Sequence, residues 1–461
     1  MAIETVKQLS PPELLIKPQE HVSACSITVP TASVSAVHAA LKHIINVSSH
    51  LTLINRLLFT EESAAEGAEQ FDDDACEFDI GELVQSVGDM LAGTAAEAKV
   101  ELILFHADSG FHHRNVIGNE AGFRHVLITM VKTVIDSATP GAWIELGLHL
   151  TPEKSEALDG KAPESEKVNL TFEIIYTPPS VDDPAVSAFC PDANLTAKLV
   201  QGLGGELLAS EREGAQVIDL NFKLVSGSKE PLKRECSIAR NNSEIRRRLN
   251  IADEPSPEEL ARFSLTLRGL KAALHARDHS VFAKHLTSCL TVCGLDITHI
   301  PIGAPNEEKE ATGGTPSKST IVPNLAGLSL AKEEAIKSGT PPTFIIIDDD
   351  IKTLREQFIS LRNNPAFNFS NHQNRRHRRM ESLSNHLVTS IIHFTSLSNY
   401  QLIKDEVYSL LITPHHLLPP QVLVIPKPIG PKRLLTTLHT AITKPKVDPS
   451  YIPIATSPMS P

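Results

Sequence analysis

Aromatic residues make up only 5% of this 461-residue sequence, with a single tryptophan. So little stacking surface argues against a platform that reads unpaired bases. Positive charge is not in surplus either. Lys and Arg number 43 against 55 Asp and Glu, a formal net charge of −12, so no chain-wide attraction to nucleic acid is expected. No apolar run reaches membrane-spanning length, and the opening MAIETVKQLSPPELL lacks the basic-then-apolar layout of a signal peptide. Neither a nucleic acid nor a membrane is therefore expected as a partner. The six cysteines (Cys25, Cys76, Cys190, Cys236, Cys289 and Cys293) are scattered. Only Cys289 and Cys293 are close, and no second Cys or His pair stands at zinc-ligand spacing. They read as reduced thiols packed as small hydrophobes, which suits the cytoplasm or the nucleus.

Proline, by contrast, is plentiful at 32 residues, which points to substantial linkers. The length suffices for two or three domains, each with its own core. Residues 1–32 contain Pro and Ser without sustained periodicity and read as disordered. Residues 33–60 carry a helical pattern, with Val37, Leu41, Ile44, Ile45, Leu51, Ile54 and Leu58 among its apolar positions. An acidic stretch from Glu61 to Glu77 follows.

Residues 78–224 read as one folded unit. Gly81 to Ala98 is amphipathic, with Leu83, Val84, Val87, Met90 and Leu91 on one face, and Val100–Phe105 is a short strand. The clearest helix is Glu120–Ser137, where Phe123, Val126, Leu127, Met130, Val131, Val134 and Ile135 repeat at three-and-four spacing. Three strands then alternate apolar and polar residues: Ile144 to Leu150, Val168 to Ile174 and Ile218 to Leu224. Strict alternation predicts one buried and one wet face, hence a largely antiparallel sheet covered on one side by helices. The expected fold is an α+β two-layer sandwich.

A polar stretch, 225–257, with Arg246, Arg247, Arg248, Pro255 and Pro257, marks a linker. Beyond it the pattern changes. In residues 266–444, apolar strands such as PTFIIIDDD and QVLVIPKP alternate with helices, the signature of an α/β doubly wound parallel sheet. Low-complexity insertions interrupt it at 303–340 and 363–386. The tail, 445–461, is too proline-rich and polar to fold by itself and reads as disordered.

The first folded unit resembles the C-terminal half of histidine kinases. LTLINRLL, followed by EFDIGELVQSVGDMLAGTAAEAKVELILF, looks like a dimerisation hairpin running into an ATPase-like domain. VIGNEAGFRHVLITMVKTVIDSATPGAWIELGLHL resembles the nucleotide-box helix and next strand, and GLGGELLASEREGAQVIDLNFKL the closing helix, Gly-Gly turn and last strand. The resemblance implies a helical dimerisation-like segment at 33–60 and a homodimer. The chemistry departs from the family. Its two magnesium- and phosphate-binding asparagines correspond to Thr129 and Thr133, whose short hydroxyls are poor ligands for a hard cation. Its adenine-reading Asp-x-Gly-x-Gly corresponds to YTPPS, Tyr176 to Ser180, and FCPDAN offers no glycine for a phosphate lid. His38 and His43 lie on the helix that would carry the phosphoacceptor, but neither is followed by a carboxylate, and both read as surface histidines. A degenerate, non-catalytic fold is expected, without ATP as a cofactor.

Residues 266–444 resemble a response-regulator receiver domain with five parallel strands. Asp348, Thr395 (or its neighbour Ser396) and Lys427 fall at the ends of three strands, where open α/β sheets place their sites. By this resemblance Asp348 is the phosphoacceptor nucleophile, the hydroxyl binds a phosphoryl oxygen, and Lys427 compensates the added charge. Lys427-Pro428 matches a Lys-Pro pair whose peptide bond is usually cis, and Pro431 opens a helix. Asp348 is the first residue out of the apolar strand. Alternation sends Asp349 to the other side, and Asp350 falls at the start of the next helix. Lys427 is expected to bridge to Asp348 even without phosphate. The plain alternative is that Asp348–Asp350 only ends a strand and caps a helix. Receivers also bind magnesium through an acidic pair after the first strand. Here HARDHS supplies Asp278 alone, beside Arg277, so the implied metal ligands reduce to Asp278 and Asp348. A working receiver and a pseudo-receiver both stay open.

NHQNRRHRR, within the second insertion, reads as a solvated loop, with a nuclear-localisation or anion-docking patch as its alternative. Taken together, the receiver-like unit and the Ile-Ala-Thr-Ser-Pro tail resemble the N-terminal region of fungal stress-pathway response regulators that act on a MAP-kinase cascade. That resemblance implies a further receiver after residue 461. It implies a histidine-phosphotransfer protein or a kinase-cascade component as partner. Three functions follow as expectations: a phosphorelay regulator with a non-catalytic first half, an active hybrid histidine kinase, or a scaffold whose folds are relics.

Overall fold

The computed structural model describes residues 26–49, 75–106, 115–152, 167–177, 195–212, 214–228, 255–302, 342–363, 389–412, 419–444 and 451–455. The acidic stretch up to residue 74, most of the 225–257 linker and the phosphate-lid position FCPDAN lie outside them. So do Pro178–Ser180, nearly all of both insertions, NHQNRRHRR, Cys25, Cys190 and Cys236. The chain divides into two compact units. The first is Met1–Phe263 with Ser396–Gln401 and Ile425–Pro461, and the second is Ser264–Thr395 with Leu402–Val424.

In the first unit the sheet comprises β2 (Cys76–Asp79), β3 (Glu101–His106), β4 (Asn115–Gly118), β5 (Trp143–Pro152), β6 (Lys167–Tyr176), β7 (Gly205–Arg212) and β8 (Ala215–Ser226). The order is β2-β4-β8-β6-β5-β3, with β7 also paired to β8. Every mapped pairing is antiparallel except β3 with β5, so the sheet is mixed. Helices α2 (Ile80–Glu97) and α3 (Glu120–Ser137) share a core with it, built from Leu83, Val87, Met90, Val126, Met130, Ile144, Phe172 and Leu220. This is the two-layer sandwich that the spacing predicts, with one departure: Glu145 in β5 is also buried, so alternation fails where a strand is covered on both faces.

Local chemistry sets the boundaries. Asp79 caps α2 by accepting from the Gly81 N–H at 2.8 Å, and Asn119 caps α3 by accepting from the Gly122 N–H at 2.7 Å. The short helix α4 (Leu195–Gly202) turns into β7 through Gly204, at a φ of +73°, and Gly205, where a Cβ would lie 2.2 Å from the Phe222 ring. The first glycine meets a backbone demand and the second a packing demand.

Two segments read as disordered contain strands. β1 (Ser26–Pro30) and β14 (Tyr451–Ala455) pair antiparallel, Ile27 opposite Ile454. The tail cannot fold alone, but main-chain pairing with a distant segment gives it a partner that composition does not reveal. Directly after β1, α1 runs Thr31–Ser49, and residues 50–60 of the expected helical segment lie outside the described part. This helix turns small residues inward: Ala36, Ala39 and Ala40 are buried, while Leu41, Ile44 and Ile45 are 52%, 54% and 66% exposed.

The five-stranded sheet has the order β10-β9-β11-β12-β13. Its strands are β9 (Lys271–Ala276), β10 (Asp296–Pro301), β11 (Phe344–Asp348), β12 (Ser390–Thr395) and β13 (Val422–Pro426). The registers of β10 with β9, β9 with β11 and β11 with β12 are all parallel. Helices α5 (Pro257–Thr266), α6 (Val281–Val292), α7 (Ile351–Asn363), α8 (Leu397–Ile412) and α9 (Pro431–Thr443) complete the sequence order. All of Phe344–Ile347 and all of Ser390–Thr395 are buried, as befits parallel strands covered on both faces. Residues from Ile425 onward, including α9, belong by their packing to the first unit.

Candidate functional site

At the positions that the sequence resemblance assigns to nucleotide, helix α3 carries Thr129 and Thr133 one turn apart. Neither hydroxyl hydrogen is offered outward. Thr129 Oγ1 donates to the His125 carbonyl at 2.8 Å and Thr133 Oγ1 to the Thr129 carbonyl at 2.7 Å. Such back-bonding is the usual fate of a short hydroxyl inside a helix. Tyr176, which the sequence resemblance sets against an adenine-reading carboxylate, ends β6 with 5% exposure.

The two helix histidines differ from one another. His38 is exposed, as expected. His43 is half-buried and stacks on His125 of α3, ring centroids 5.2 Å apart and planes at 27°. Burial, then the neighbouring His125 and Arg124, lowers its pKa to about 4. Burial lowers His125 as well. The surface reading of His43 is thus corrected. Its partner stands on another helix, beyond the reach of local periodicity.

At the carboxyl end of the parallel sheet, Asp348 ends β11, Thr395 ends β12, and Lys427 follows β13 through a cis Lys427-Pro428 bond. Asp348 Oδ2 accepts from the Ser280 hydroxyl at 3.1 Å, and Ser280 in turn caps α6 by accepting from the Ala283 N–H at 3.1 Å. Thr395, fully buried, donates its hydroxyl to Asp349 Oδ1 at 2.8 Å. Alternation would send Asp349 to the far side, but its φ of 48° breaks the extended geometry on which alternation depends. Asp350 caps α7, its Oδ2 accepting from the Thr353 N–H at 2.9 Å. Burial works against the charge of Asp350, yet hydrogen bonds from Thr353 and Lys352 outweigh it and hold the carboxyl below its ordinary value. Asp278 and Arg277 lie exposed on the turn after β9.

A magnesium ion takes oxygen ligands in near-octahedral array, one or two of them carboxylates and several of them waters. Among the contacts of Asp348 and Asp349 are the hydroxyls of Ser280 and Thr395, and Asp278 is on an exposed turn. Among the described residues, no group of three or more His, Cys, Asp or Glu side chains gathers as a metal site. The sequence contained one signal for Ser280, its place just before an apolar helical run, but that signal announces a cap and not a contact with Asp348.

The sequence points to Asp348 as the partner of Lys427; a carboxylate that it did not point to, Glu101 in β3, lies at the Lys427 Nζ at 2.5 Å. This is one of several polar contacts made by the segment Lys427–Arg433. Arg433 grips Asp89 of α2 with both nitrogens, Nη1 to Oδ1 at 2.6 Å and Nη2 to Oδ2 at 2.7 Å. Gln85 donates to Asp89 Oδ1 at 2.9 Å and accepts from the Gly430 N–H at 2.7 Å. Lys432 pairs with Glu82. Burial pushes the Asp89 carboxyl above its usual value, while Arg433 and Gln85 pull it back. Sequence reasoning missed Asp89. It sits among the apolar residues of α2, and its cation lies 344 positions away.

No family model matches the chain, and no curated protein matches it. Solved structures do. The full-length structure of ShkA in complex with AMPPNP is 12% identical, with a TM-score of 0.41, the match covering 89% of this chain and 64% of that one. The Acinetobacter baumannii histidine kinase AdeS is 12% identical with a TM-score of 0.26, over 48% of this chain and 98% of that one. A histidine kinase from Burkholderia phymatum is 15% identical with a TM-score of 0.26, over 43% of this chain and 98% of that one. The chain thus spans less than two thirds of the length of ShkA.

Proposed function

We propose that this chain is a regulator of two-component (phosphorelay) signalling that acts by binding. In this reading the kinase-like fold processes no nucleotide, and the receiver-like fold recognises a partner without needing a metal ion. The observation that carries the reading is the pair Thr129 and Thr133. At the two positions where the resemblance asks for amide ligands, each hydroxyl donates to the helix's own backbone. A threonine hydroxyl is shorter than the amide it replaces, and here each one is turned back onto the helix.

The partner in this reading is a histidine-phosphotransfer protein or a component of a stress-activated kinase cascade. A second copy of the chain is a further partner, docked through Leu41, Ile44 and Ile45. These large apolar side chains stand outward on a helix that buries alanines. Asp348 remains the residue proposed to accept phosphate should any be transferred. Its carboxylate would attack phosphorus and form a C–O–P linkage, with the donor histidine nitrogen leaving with the electron pair. The test is incubation with a phosphorylated histidine-phosphotransfer protein. Stable binding without hydroxylamine-sensitive label supports a regulator that works by binding. Label that disappears in Asp348→Asn would show a chemically active receiver and overturn the binding-only reading.

A further inference from the structure

The turn Lys427–Arg433, KPIGPKR, is basic, and within the first unit it is seated on an acidic face. Three cations each meet a carboxylate: Lys427 with Glu101, Lys432 with Glu82, and Arg433 with Asp89. The Asp89 side chain is only 2% exposed and the Lys427 side chain only 9%, so two of these pairs each hold one charge that has left water. A buried ion pair that loses one member leaves an uncompensated charge, which is strongly unfavourable. The backbones fit as closely as the charges. A Cβ on Gly88 would lie 3.0 Å from Pro428 Cγ, and one on Gly430 would lie 2.7 Å from Gln85 Oε1. Glycine therefore permits the approach from both sides.

We propose that this contact is an autoinhibitory latch. It deepens the binding reading given above and rests on it. While the latch is closed, the acidic face of α2 and β3 masks the basic turn. Once open, Lys427, Lys432 and Arg433 become available to a partner that presents an acidic helical face of the same kind. The occupant seated in this chain defines that chemistry: carboxylates about two helical turns apart, as Glu82 and Asp89 lie along one helix, with a small residue between them to admit the proline.

The experiment uses the full chain and reads two things. Limited trypsin digestion reports exposure of the Arg433–Leu434 bond, and fluorescence anisotropy reports binding of a labelled ten-residue polyglutamate peptide. Asp89→Asn removes the buried charge. Glu101→Gln takes the charge from a carboxylate that holds Lys427, and serves as the second route should Asp89→Asn fail to fold, with circular dichroism confirming the fold of each. Both should speed cleavage at Arg433 about ten-fold or more and should create salt-sensitive peptide binding that vanishes when Lys427, Lys432 and Arg433 are also changed to Ala. Unchanged cleavage in two folded variants would show that there is no latch. Faster cleavage without any gain in peptide binding would show that the contact masks nothing. Neither readout involves nucleotide or phosphate, so the latch can fail while the nucleotide-free reading stands, and the reverse.

Discussion

The buried hydroxyl of Thr395 donates to Asp349 Oδ1 at 2.8 Å, tying the end of β12 to a residue held at a φ of 48° just past β11. A left-handed aspartate is tolerated where a short polar side chain is anchored locally. Thr395→Val keeps the shape and removes the donor. A hydrogen bond to a charged group contributes about 1.5–3 kcal/mol, so urea denaturation should report a loss of that order. Thr395→Ser should recover most of it.

Asp350 has a different task, as the cap of α7. Asp350→Ala should cost about 1 kcal/mol, the usual effect of losing a cap, whereas Asp350→Asn or Asp350→Ser should cost a few tenths. If phosphate label is ever seen on this chain, Asp350→Asn should retain it and Asp348→Asn should abolish it. Retention in Asp348→Asn would remove Asp348 from the proposal.

The stacked pair His43 and His125 makes the seating of α1 sensitive to acid. The folded-state pKa of His43 is depressed from 6.5 to about 4, through burial first and then through His125 and Arg124. Arg124 itself pairs with Glu120 on the same helix, one turn back. A depressed histidine favours the neutral form in the fold. Its contribution is therefore complete above pH 6.5 and is lost as the pH falls toward about 4. Protection factors of the α1 amides, which correct for the intrinsic pH dependence of exchange, should fall across that window, and His43→Gln should flatten the dependence. A flat profile in the wild type would contradict the packing described for His43.

Much of this architecture was legible because local pattern and tertiary environment agree. Phe344–Ile347 and Ile391–Phe394 are apolar runs that become strands buried on both faces, and the three-and-four spacing of Val126, Met130 and Val134 becomes the inner face of α3. The misses share a physical reason. The pairing of Ile27 with Ile454, the grip of Arg433 on Asp89 and the stack of His43 on His125 join distant segments, and no periodicity announces a partner. Asp349 was misplaced for another reason: one left-handed residue reverses the side to which a strand end points.

The exposed stripe on α1 predicts self-association. Leu41→Ser with Ile45→Ser should lower the sedimentation mass of the full chain from dimer to monomer. Its helical content should change little, because Ala36, Ala39 and Ala40 carry the inward packing. A wild-type chain that is monomeric at tens of micromolar would rule out the second copy as a partner through this helix.

The central proposal is that the first unit handles no nucleotide, and its support is that Thr129 and Thr133 both donate to their own helix. Isothermal calorimetric titration of the full chain with magnesium-ATP tests it most directly. The account predicts no saturable heat up to millimolar nucleotide and no shift in melting temperature. A saturable isotherm with micromolar affinity, lost when Thr129 is replaced by Leu, would contradict it.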